Sequence, residues 1–525
     1  MTASGIVQRW EWRTFGVDLV PAVGYLAGLD PLGTQESDEL YLLSLDGDTV
    51  KVRGGLMDIK ILREIGFHGL ERWEPVLKAP FPLGPDELGA VFAALRQPMP
   101  DLARATYTVD ELRHELVDPH PGVRAVPVHK QRVRYAVAEC IGELTHVRIG
   151  EYATRTIAIE SADLDAVVTA VRAVGLGNRI NTSYPRGMAA LYDGEPPRYA
   201  TIDVGTNSVK FHIGQPTSDG RWEALVDRAE VTQLGAGLAQ TGNISTEAVE
   251  RTAQAIRGMV AEARAHLVRE IAAAGTAGLR MADNRADVLE VVERHTGVAI
   301  EVVTGEEESR LAYVAALAGL GPAAGPGGPV VVFDTGGGSS QFTFGRGSTV
   351  DERFSVDVGA ARYTEQFGLA GAVTRETLDA ALAAISRDLG RLDDRPTPDA
   401  LIGMGGAVTN LTAVSLGLAR YDPDAVQGSI LERSEVDRQI EHYRTHGAEQ
   451  RRAIVGLQPQ RAEVILAGAC VVRTVMDRLG KDRLTVSDRG LRHGLAAERF
   501  GRGEPEWLGE PDAPPGTHLP GAAAR

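Results

Sequence analysis

The hydrophobic pattern of this chain has two regimes. Up to about residue 190, apolar residues alternate with charged ones: Arg9-Trp-Glu11-Trp-Arg13, Val50-Lys51-Val-Arg53, Asp58-Ile-Lys60 and His129-Lys130-Gln-Arg132-Val-Arg134-Tyr. A period of two predicts strands, in which residues i and i+2 share a face. Lys130, Arg132 and Arg134 then form a basic ladder on one face, as do Lys51 and Arg53, with apolar residues on the other. Ala138-Glu139 and Ile157-Ala-Ile-Glu160 add carboxylates to this region. An ordinary antiparallel sheet with one wet face shows the same alternation, so the period alone does not say which face is inside.

Beyond residue 190 one pattern occurs twice. Thr201-Ile-Asp203-Val-Gly205-Thr-Asn-Ser208-Val-Lys-Phe211-His-Ile-Gly214 is matched by Val332-Phe-Asp334-Thr-Gly336-Gly-Gly-Ser339-Ser-Gln-Phe342-Thr-Phe-Gly345, 131 residues later. Each copy reads as a strand, a tight Gly/Ser turn after an Asp, and a second strand. Glycines admit a phosphate close to the backbone, turn amides point at its oxygens, and the Asp can hold a divalent cation. Two such hairpins predict two lobes facing across a phosphate cleft. Helical spacing follows at 246–271, 284–295, 376–392 and 460–479, with a strand at 298–303. The last of these helices is apolar nearly all round and should be buried.

Composition sharpens the picture in a few places. At 525 residues the chain should divide into several units, and its net charge of −16 argues against nonspecific nucleic-acid binding. A polyanionic substrate would have to be held by clustered Arg and Lys or through metal. Asp193-Gly-Glu-Pro-Pro-Arg198 and the Gly/Pro-rich stretch 319–329 read as linkers, and the chain beyond residue 500 as a disordered tail. The expected units are 1–195, a first lobe at 197–325, a second at 326–500 and a tail at 501–525. Cys140 and Cys470 lie in apolar runs and read as core residues rather than a disulfide or zinc site. With no apolar leader and no membrane-length stretch, the expected location is the cytoplasm.

Six motifs, in order, resemble the exopolyphosphatase/guanosine-pentaphosphate phosphohydrolase family of the actin-like superfamily. They are Gly275-Thr276-Ala-Gly-Leu-Arg280, Thr304-Gly305-Glu-Glu-Glu308-Ser-Arg310, Phe333-Asp334-Thr-Gly-Gly-Gly-Ser-Ser-Gln341, Val358-Gly359-Ala-Ala-Arg362, Gly403-Met-Gly405-Gly406 and Val486-Ser-Asp488-Arg-Gly490-Leu-Arg-His-Gly494. The resemblance implies an α/β, two-lobed actin-like (ribonuclease-H-like) phosphatase over about 197–500. Phosphates are expected on Gly205, Thr206, Asn207, Ser208, Gly336, Gly337, Gly338, Ser339, Gly405 and Gly406, with Arg280 as a fork on an outer oxygen. Asp203 and Asp334 are the expected Mg²⁺ ligands. Glu308 falls on the family's catalytic glutamate and is the expected general base, buried beside phosphate. Three adjacent glutamates also mark a solvated helix start, so the residue pattern alone does not single it out. The family's second turn usually ends Ser-Thr-Glu, whereas this one ends Ser339-Ser340-Gln341, which removes a carboxylate that binds metal or water. His493 reads as structural.

Residues 1–190 resemble the CYTH, or triphosphate-tunnel, family, whose closed antiparallel barrel lines its bore with Lys, Arg and Glu. The helix-like stretch 163–176 and Ser183-Tyr-Pro-Arg186-Gly-Met188 match that family's closing elements. The family's Glu-x-Glu-x-Lys is reduced to Trp10-Glu11-Trp12-Arg13, so one metal-binding carboxylate is missing. The resemblance implies an α+β barrel in which Lys51, Arg53, Lys130, Arg132 and Arg134 hold a polyphosphate. Two functional classes follow. One is Mg²⁺-dependent exopolyphosphatase activity, with guanosine pentaphosphate as a second candidate substrate. The other is a polyphosphate or nucleotide sensor in which Gln341 marks lost turnover. A kinase of the same superfamily is a third reading, carried only by the 403–406 glycines. No nucleic-acid or membrane partner is expected, and a homodimer is a candidate assembly.

Overall fold

The computed structural model describes residues 8–501, apart from 207, 218–221, 325–326 and 348. The tail expected to be disordered therefore lies, beyond Gly501, outside the described residues, as does Asn207. None of the described helices is long and apolar enough to cross a membrane.

The alternating region forms β1 (Arg9–Gly16), β2 (Pro31–Leu43), β3 (Thr49–Arg53), β4 (Leu56–Ile65), β5 (Glu71–Pro80), β6 (Arg124–Val137), β7 (Cys140–Ile149) and β8 (Tyr152–Ser161). They close as a barrel in the order β1-β5-β4-β3-β2-β6-β7-β8, all antiparallel. This is consistent with a CYTH-like barrel. Closure settles which face is inside, because the charged face points into the bore. Arg13, Glu39, Lys51, Lys130 and Arg132 are all buried. The opposite faces of the strands meet helices. Val50, Met57 and Ile59 pack with Leu88, Val91 and Phe92 of the helix Pro85–Ala94. Trp12, Ile157 and Ile159 pack with Leu26 and with Val167 and Val171 of the helix Leu164–Ala173. Ala138 and Glu139 are an exception to the expectation: they form the β6–β7 turn, Ala138 at φ +51°, and Glu139 brings no carboxylate to the bore.

The bore is polar along only part of its length. Toward one end its inward positions become Phe15, Tyr41, Leu43, Val126, Val128, Val147 and Ile149, sealed by Met188 and Leu191 of the helix Tyr184–Asp193. The barrel is thus a blind cup.

The two Asp-turn hairpins each begin a sheet. The first contains β9 (Arg198–Val204), β10 (Ser208–Pro216), β11 (Trp222–Val231), β12 (Val268–Gly275) and β13 (Ile300–Val302) in the order β11-β10-β9-β12-β13. The second contains β14 (Pro329–Thr335), β15 (Ser340–Arg346), β16 (Thr349–Val356), β17 (Ala400–Met404), β18 (Ile430–Glu432) and β19 (Arg483–Val486) in the order β16-β15-β14-β17-β19-β18. Apart from the antiparallel edge strand β18, the two sheets repeat one topology. The helix Gly305–Leu320 leads from the first lobe to the second, and the helix Leu491–Phe500 returns to pack on it and on β9, β10 and β12. Phe500 stacks on Tyr199 there, with ring centroids 4.4 Å apart.

Two helix expectations shift. The 246–271 pattern splits into the helix Thr246–Ala265 and the start of β12, because Leu267 takes φ +54° and ends the helical path. Val268 and Ile271 suit a helix face by spacing, yet both are buried in the first sheet. The apolar 460–479 stretch becomes the helix Ile465–Arg478, preceded by a 3-10 turn at Pro459–Arg461. As expected, this helix is the buried axis of the second lobe.

Candidate active site

The two repeated turns are built alike. Gly205 N–H donates to Ser208 O at 3.0 Å and Gly336 N–H to Ser339 O at 2.9 Å. In the second turn the carbonyls are tied down from behind. Ala360 and Ala361 N–H donate to Gly336 O and Gly337 O at 3.0 and 2.8 Å. This requires glycine at 359, where a Cβ would lie 2.4 Å from Gly337 O. With its carbonyls held on the helix Ala360–Phe367, the turn leaves the N–H groups of Gly337, Gly338 and Ser339 without hydrogen-bond partners among the described residues. Unpaired amides at a turn are an anion cradle.

Asp334 sits at the end of β14 under the N-terminus of the helix Gly405–Ser415. Gly405 has φ +85°, and a Cβ there would lie 2.2 Å from Asp334 Oδ1. Only glycine lets this helix start so close to the carboxylate. Burial raises the Asp334 pKa against the pull of Lys210 and Arg461. A carboxylate short of direct partners suits a cation. Asp203, at the end of β9, is buried and accepts from Lys210 Nζ at 3.0 Å.

Glu308 lies in the first turn of the helix Gly305–Leu320, where Thr304 caps by accepting from Glu307 N–H at 3.1 Å. An acidic first turn complements the helix dipole. Each of its three glutamates has its own arginine: Glu306 takes Arg353, Glu307 takes Arg310, and Glu308 takes Arg280 at 2.9 Å. Only Glu308 therefore joins the cleft motif. The expectation that it is buried is not met: its side chain is 39% exposed. Arg280 is likewise not a free fork, since it holds Glu308 and Val303 O. The strands explain its position. Thr276 N–H donates to Val204 O, and Gly278 packs on Thr206, placing the Arg280 turn beside the first Asp hairpin. Thr206 itself is exposed, with its carbonyl taken by Gly235 N–H at 2.8 Å.

Two cleft residues escaped the sequence reading. Lys210 pairs across the hairpin with Asp203 in the same register that Gln341 pairs with Asp334. The repeat made that equivalence legible. Its ammonium also acts on Asp334, so it is a cation facing both carboxylates. Arg461 lies over the start of the Gly405 helix, its guanidinium 2.7 Å from where a Cβ of Gly406 would be. Its loop is anchored by Gln458 N–H donating to Asn410 Oδ1 at 2.9 Å. No local signal marks Arg461, because its place depends on packing between distant segments. His493 acts as a structural clasp. Its Nδ1 accepts from Gly490 N–H at 3.2 Å and its Nε2 faces Asp227 at 2.9 Å.

The barrel's open half is a second charged site, a cavity of about 180 Å³. Glu39, fully buried and not itself in the cavity's lining, is the hub of the charges around it, meeting Lys51 at 3.1 Å and Lys130 and Arg132 at 3.2 Å. Burial works against its charge, but Lys130, Lys51 and Arg132 hold its pKa far below the usual range. Burial pushes Lys51 down to about 8 and Lys130 lower than an ordinary lysine. Lys130 Nζ also donates to Tyr41 Oη at 2.7 Å and lies 3.6 Å from the Tyr184 ring centre. Glu143 takes Arg134 at 3.4 Å and Arg132 at 3.5 Å. Arg134 is half exposed, so the ladder runs from two buried cations to one at the mouth. Arg53 is 30% exposed and pairs with Asp58 at 3.0 Å. Arg9, two residues before Glu11, pairs with Glu160 at 3.0 Å, so a cation stands where the tunnel motif has its first carboxylate. Glu39 and Glu143, the main counter-ions, were not singled out in the sequence.

Residues 217–502 match the Ppx/GppA phosphatase family. The chain belongs to this family. Exopolyphosphatase 2 of Mycobacterium tuberculosis is 30% identical over 329 residues, covering 58% of this chain and 99% of that protein. A guanosine-5'-triphosphate,3'-diphosphate pyrophosphatase of Aliivibrio fischeri is 26% identical over 314 residues, covering 57% of this chain and 59% of that protein. The crystal structure of the Aquifex aeolicus Ppx/GppA phosphatase superposes with a TM-score of 0.54 at 31% identity, covering 58% of this chain and 99% of that one. The barrel lies outside the matched Ppx/GppA residues. Within the Ppx/GppA part, Gln341 makes a local contact, donating from Nε2 to Ser339 Oγ at 2.9 Å.

Proposed function

We propose that this chain hydrolyses the terminal phosphate of inorganic polyphosphate in the cleft between the two Asp hairpins, while the barrel holds the chain. The observation that carries the reading is the second turn. Among the described residues its three amides have no partner and Asp334 stands behind it without a hydrogen bond, while the Gly336 and Gly337 carbonyls are pinned. The kinship to proteins named exopolyphosphatase and guanosine-pentaphosphate pyrophosphatase supports the same chemistry, with polyphosphate preferred because a cationic cup precedes the phosphatase. The two free buried cysteines suit a reducing cytoplasm.

The residues divide the work. The Gly205–Ser208 and Gly336–Ser339 turns, with Asn207, Gly405 and Gly406, hold adjacent phosphates. Lys210 and Arg461 neutralise their charge. Asp203 and Asp334 would hold Mg²⁺, which when bound would supply charge neutralisation to the phosphoryl oxygens. Substrate draws Arg280 onto an outer phosphate oxygen and frees Glu308. Glu308 takes a proton from water as the water's oxygen bonds to the terminal phosphorus. The bond from that phosphorus to the bridging oxygen breaks, leaving orthophosphate and a chain shorter by one unit.

Gln341 favours a second reading, a sensor with weak turnover, since an amide brings no charge and cannot act as a base. Phosphate release measured with malachite green on long-chain polyphosphate, tripolyphosphate, guanosine pentaphosphate and ATP, with and without Mg²⁺, separates the two. Mg²⁺-dependent release, fastest from long chains, supports the enzyme. Binding without release supports the sensor.

A further inference from the structure

Where the barrel meets the first lobe there is a second, smaller cavity of about 50 Å³. It is lined from the barrel side by His68, Leu70 and Arg172, from the connecting segment by Arg179, and from the lobe by Arg264 and Val298. Among the described residues no carboxylate lines it. Two of its arginines are neutralised at its edges: Arg172 by Glu293 at 3.1 Å, and Arg179 by Glu270 at 3.0 Å and by Asp18.

Arg264 is different. It stands in the last turn of the helix Thr246–Ala265, with its guanidinium against the backbone of Gly69, where a Cβ would lie 1.7 Å from Arg264 Cζ. Among the described residues its side chain has no hydrogen bond and no ion pair, and its Nε is buried without a partner. Burial presses its pKa down to about 10, opposed mainly by Glu71. Glu71 is a poor counter-ion, because burial pushes its own pKa up to about 7. Arg264 is only partly exposed, and a guanidinium nitrogen buried without an acceptor is costly and rare in folded proteins unless something else supplies the acceptor.

We propose that this junction cavity is a binding site for one inorganic phosphate ion, held on Arg264 with Arg172 and His68 beside it. By the same measure of volume a single water needs ~10–15 Å³, so the cavity suits one small oxyanion and excludes a nucleotide. Orthophosphate is also the product of the proposed reaction. Its walls come from both units, so an occupied site fastens the barrel to the lobe. Ile271 of β12 lines it too, and β12 runs on to Gly275 and the Arg280 turn of the cleft. The site is independent of the cleft and the bore, and it stands even if the substrate is not polyphosphate.

The test is calorimetric titration of inorganic phosphate into the full chain, its Arg264→Gln variant and the cleft control Arg280→Gln. The expected result is a phosphate site whose affinity falls at least tenfold in Arg264→Gln and is unchanged in Arg280→Gln. Phosphate should also raise the melting temperature of the wild type more than that of Arg264→Gln. An isotherm unaltered by Arg264→Gln overturns the proposal, as does a wild type whose phosphate binding is lost entirely in Arg280→Gln. If Arg264→Gln does not fold, Arg264→Lys keeps the charge and loses the fork. Phosphate binding equal to wild type in that variant overturns the proposal, and severalfold weaker binding supports it.

Discussion

Replacing Glu308 by Gln removes a base while changing almost nothing else. The carboxylate is 39% exposed and its partner Arg280 is 27% exposed. An ion pair this wet contributes about 0–1 kcal/mol, so the variant should unfold within roughly 1 kcal/mol of the wild type. The Thr304 cap and the backbone hydrogen bond from Glu308 N–H to Thr304 O at 2.9 Å do not involve the lost group. Catalysis should suffer far more. A positioned general base contributes about 10²–10⁴ in rate, which is ~3–5 kcal/mol of barrier. Substrate affinity should move the other way. Arg280 no longer has to leave an anion before it meets phosphate, so binding should hold steady or tighten by up to about fivefold, the equivalent of ~1 kcal/mol. The assay pairs phosphate release for kcat with equilibrium binding of labelled polyphosphate, and denaturant melts check the fold. Turnover within tenfold of wild type refutes the role of Glu308. A loss of turnover matched by a loss of binding refutes the claim that Glu308 is spent on Arg280 in the free protein.

Asp334→Asn should raise the Mg²⁺ concentration for half-activation, and Gln341→Glu should lower it by placing a carboxylate across the hairpin from Asp334; an unshifted Mg²⁺ titration in both variants excludes these residues from the metal site. In the barrel, Arg134 meets Glu143 and Arg53 reaches Glu39 only at 4.0 Å, so both mouth residues can be removed while Lys51, Lys130 and Arg132 still hold the buried Glu39 hub. Arg53→Ser with Arg134→Ser should weaken long-chain binding and flatten its salt dependence, by analogy with ion release from other polyanions, yet spare tripolyphosphate cleavage; unchanged salt dependence would mean the cup holds no chain. Glu71 titrates near 7 in the folded protein against a usual value of 4.5, so its contribution to stability is full below 4.5 and is lost as pH rises through 7, about 3 kcal/mol in all. Glu71→Gln should therefore be more stable than wild type at pH 8 but not at pH 4.5 in urea melts, and equal differences at both pH values would contradict the assignment.

What the sequence disclosed depended on how local each signal was. Asp203 and Asp334 were legible because a hairpin turn is coded within a few residues, and the repeat doubled the signal. Lys210 could have been found the same way, from its equivalence to Gln341. The barrel's alternation was legible, but its polarity was not, since only closure decides which face is inside. Glu39 and Glu143 went unnoticed because the cations they neutralise lie on other strands, brought beside them only by the pairing of the closed barrel. The blind end needed Met188 and Leu191, whose helix follows the last barrel strand. Arg461 and Arg264 have no sequence signature at all, because each draws its meaning from a backbone brought near by the tertiary fold, Gly406 and Gly69. Glu308 was placed correctly on its helix, but its exposure and its arginine were set by how the Arg280 turn packs on the first hairpin.

The central claim is that chain ends are trimmed one phosphate at a time in the Asp-hairpin cleft. Its most direct measurement is the length distribution of a defined long-chain polyphosphate, followed on gels through a time course with Mg²⁺, using wild type beside Glu308→Gln. The account expects orthophosphate as the only small product and a gradual shortening of the chains, absent in Glu308→Gln. Chains cut internally into intermediate lengths, or release that persists in Glu308→Gln, would contradict it.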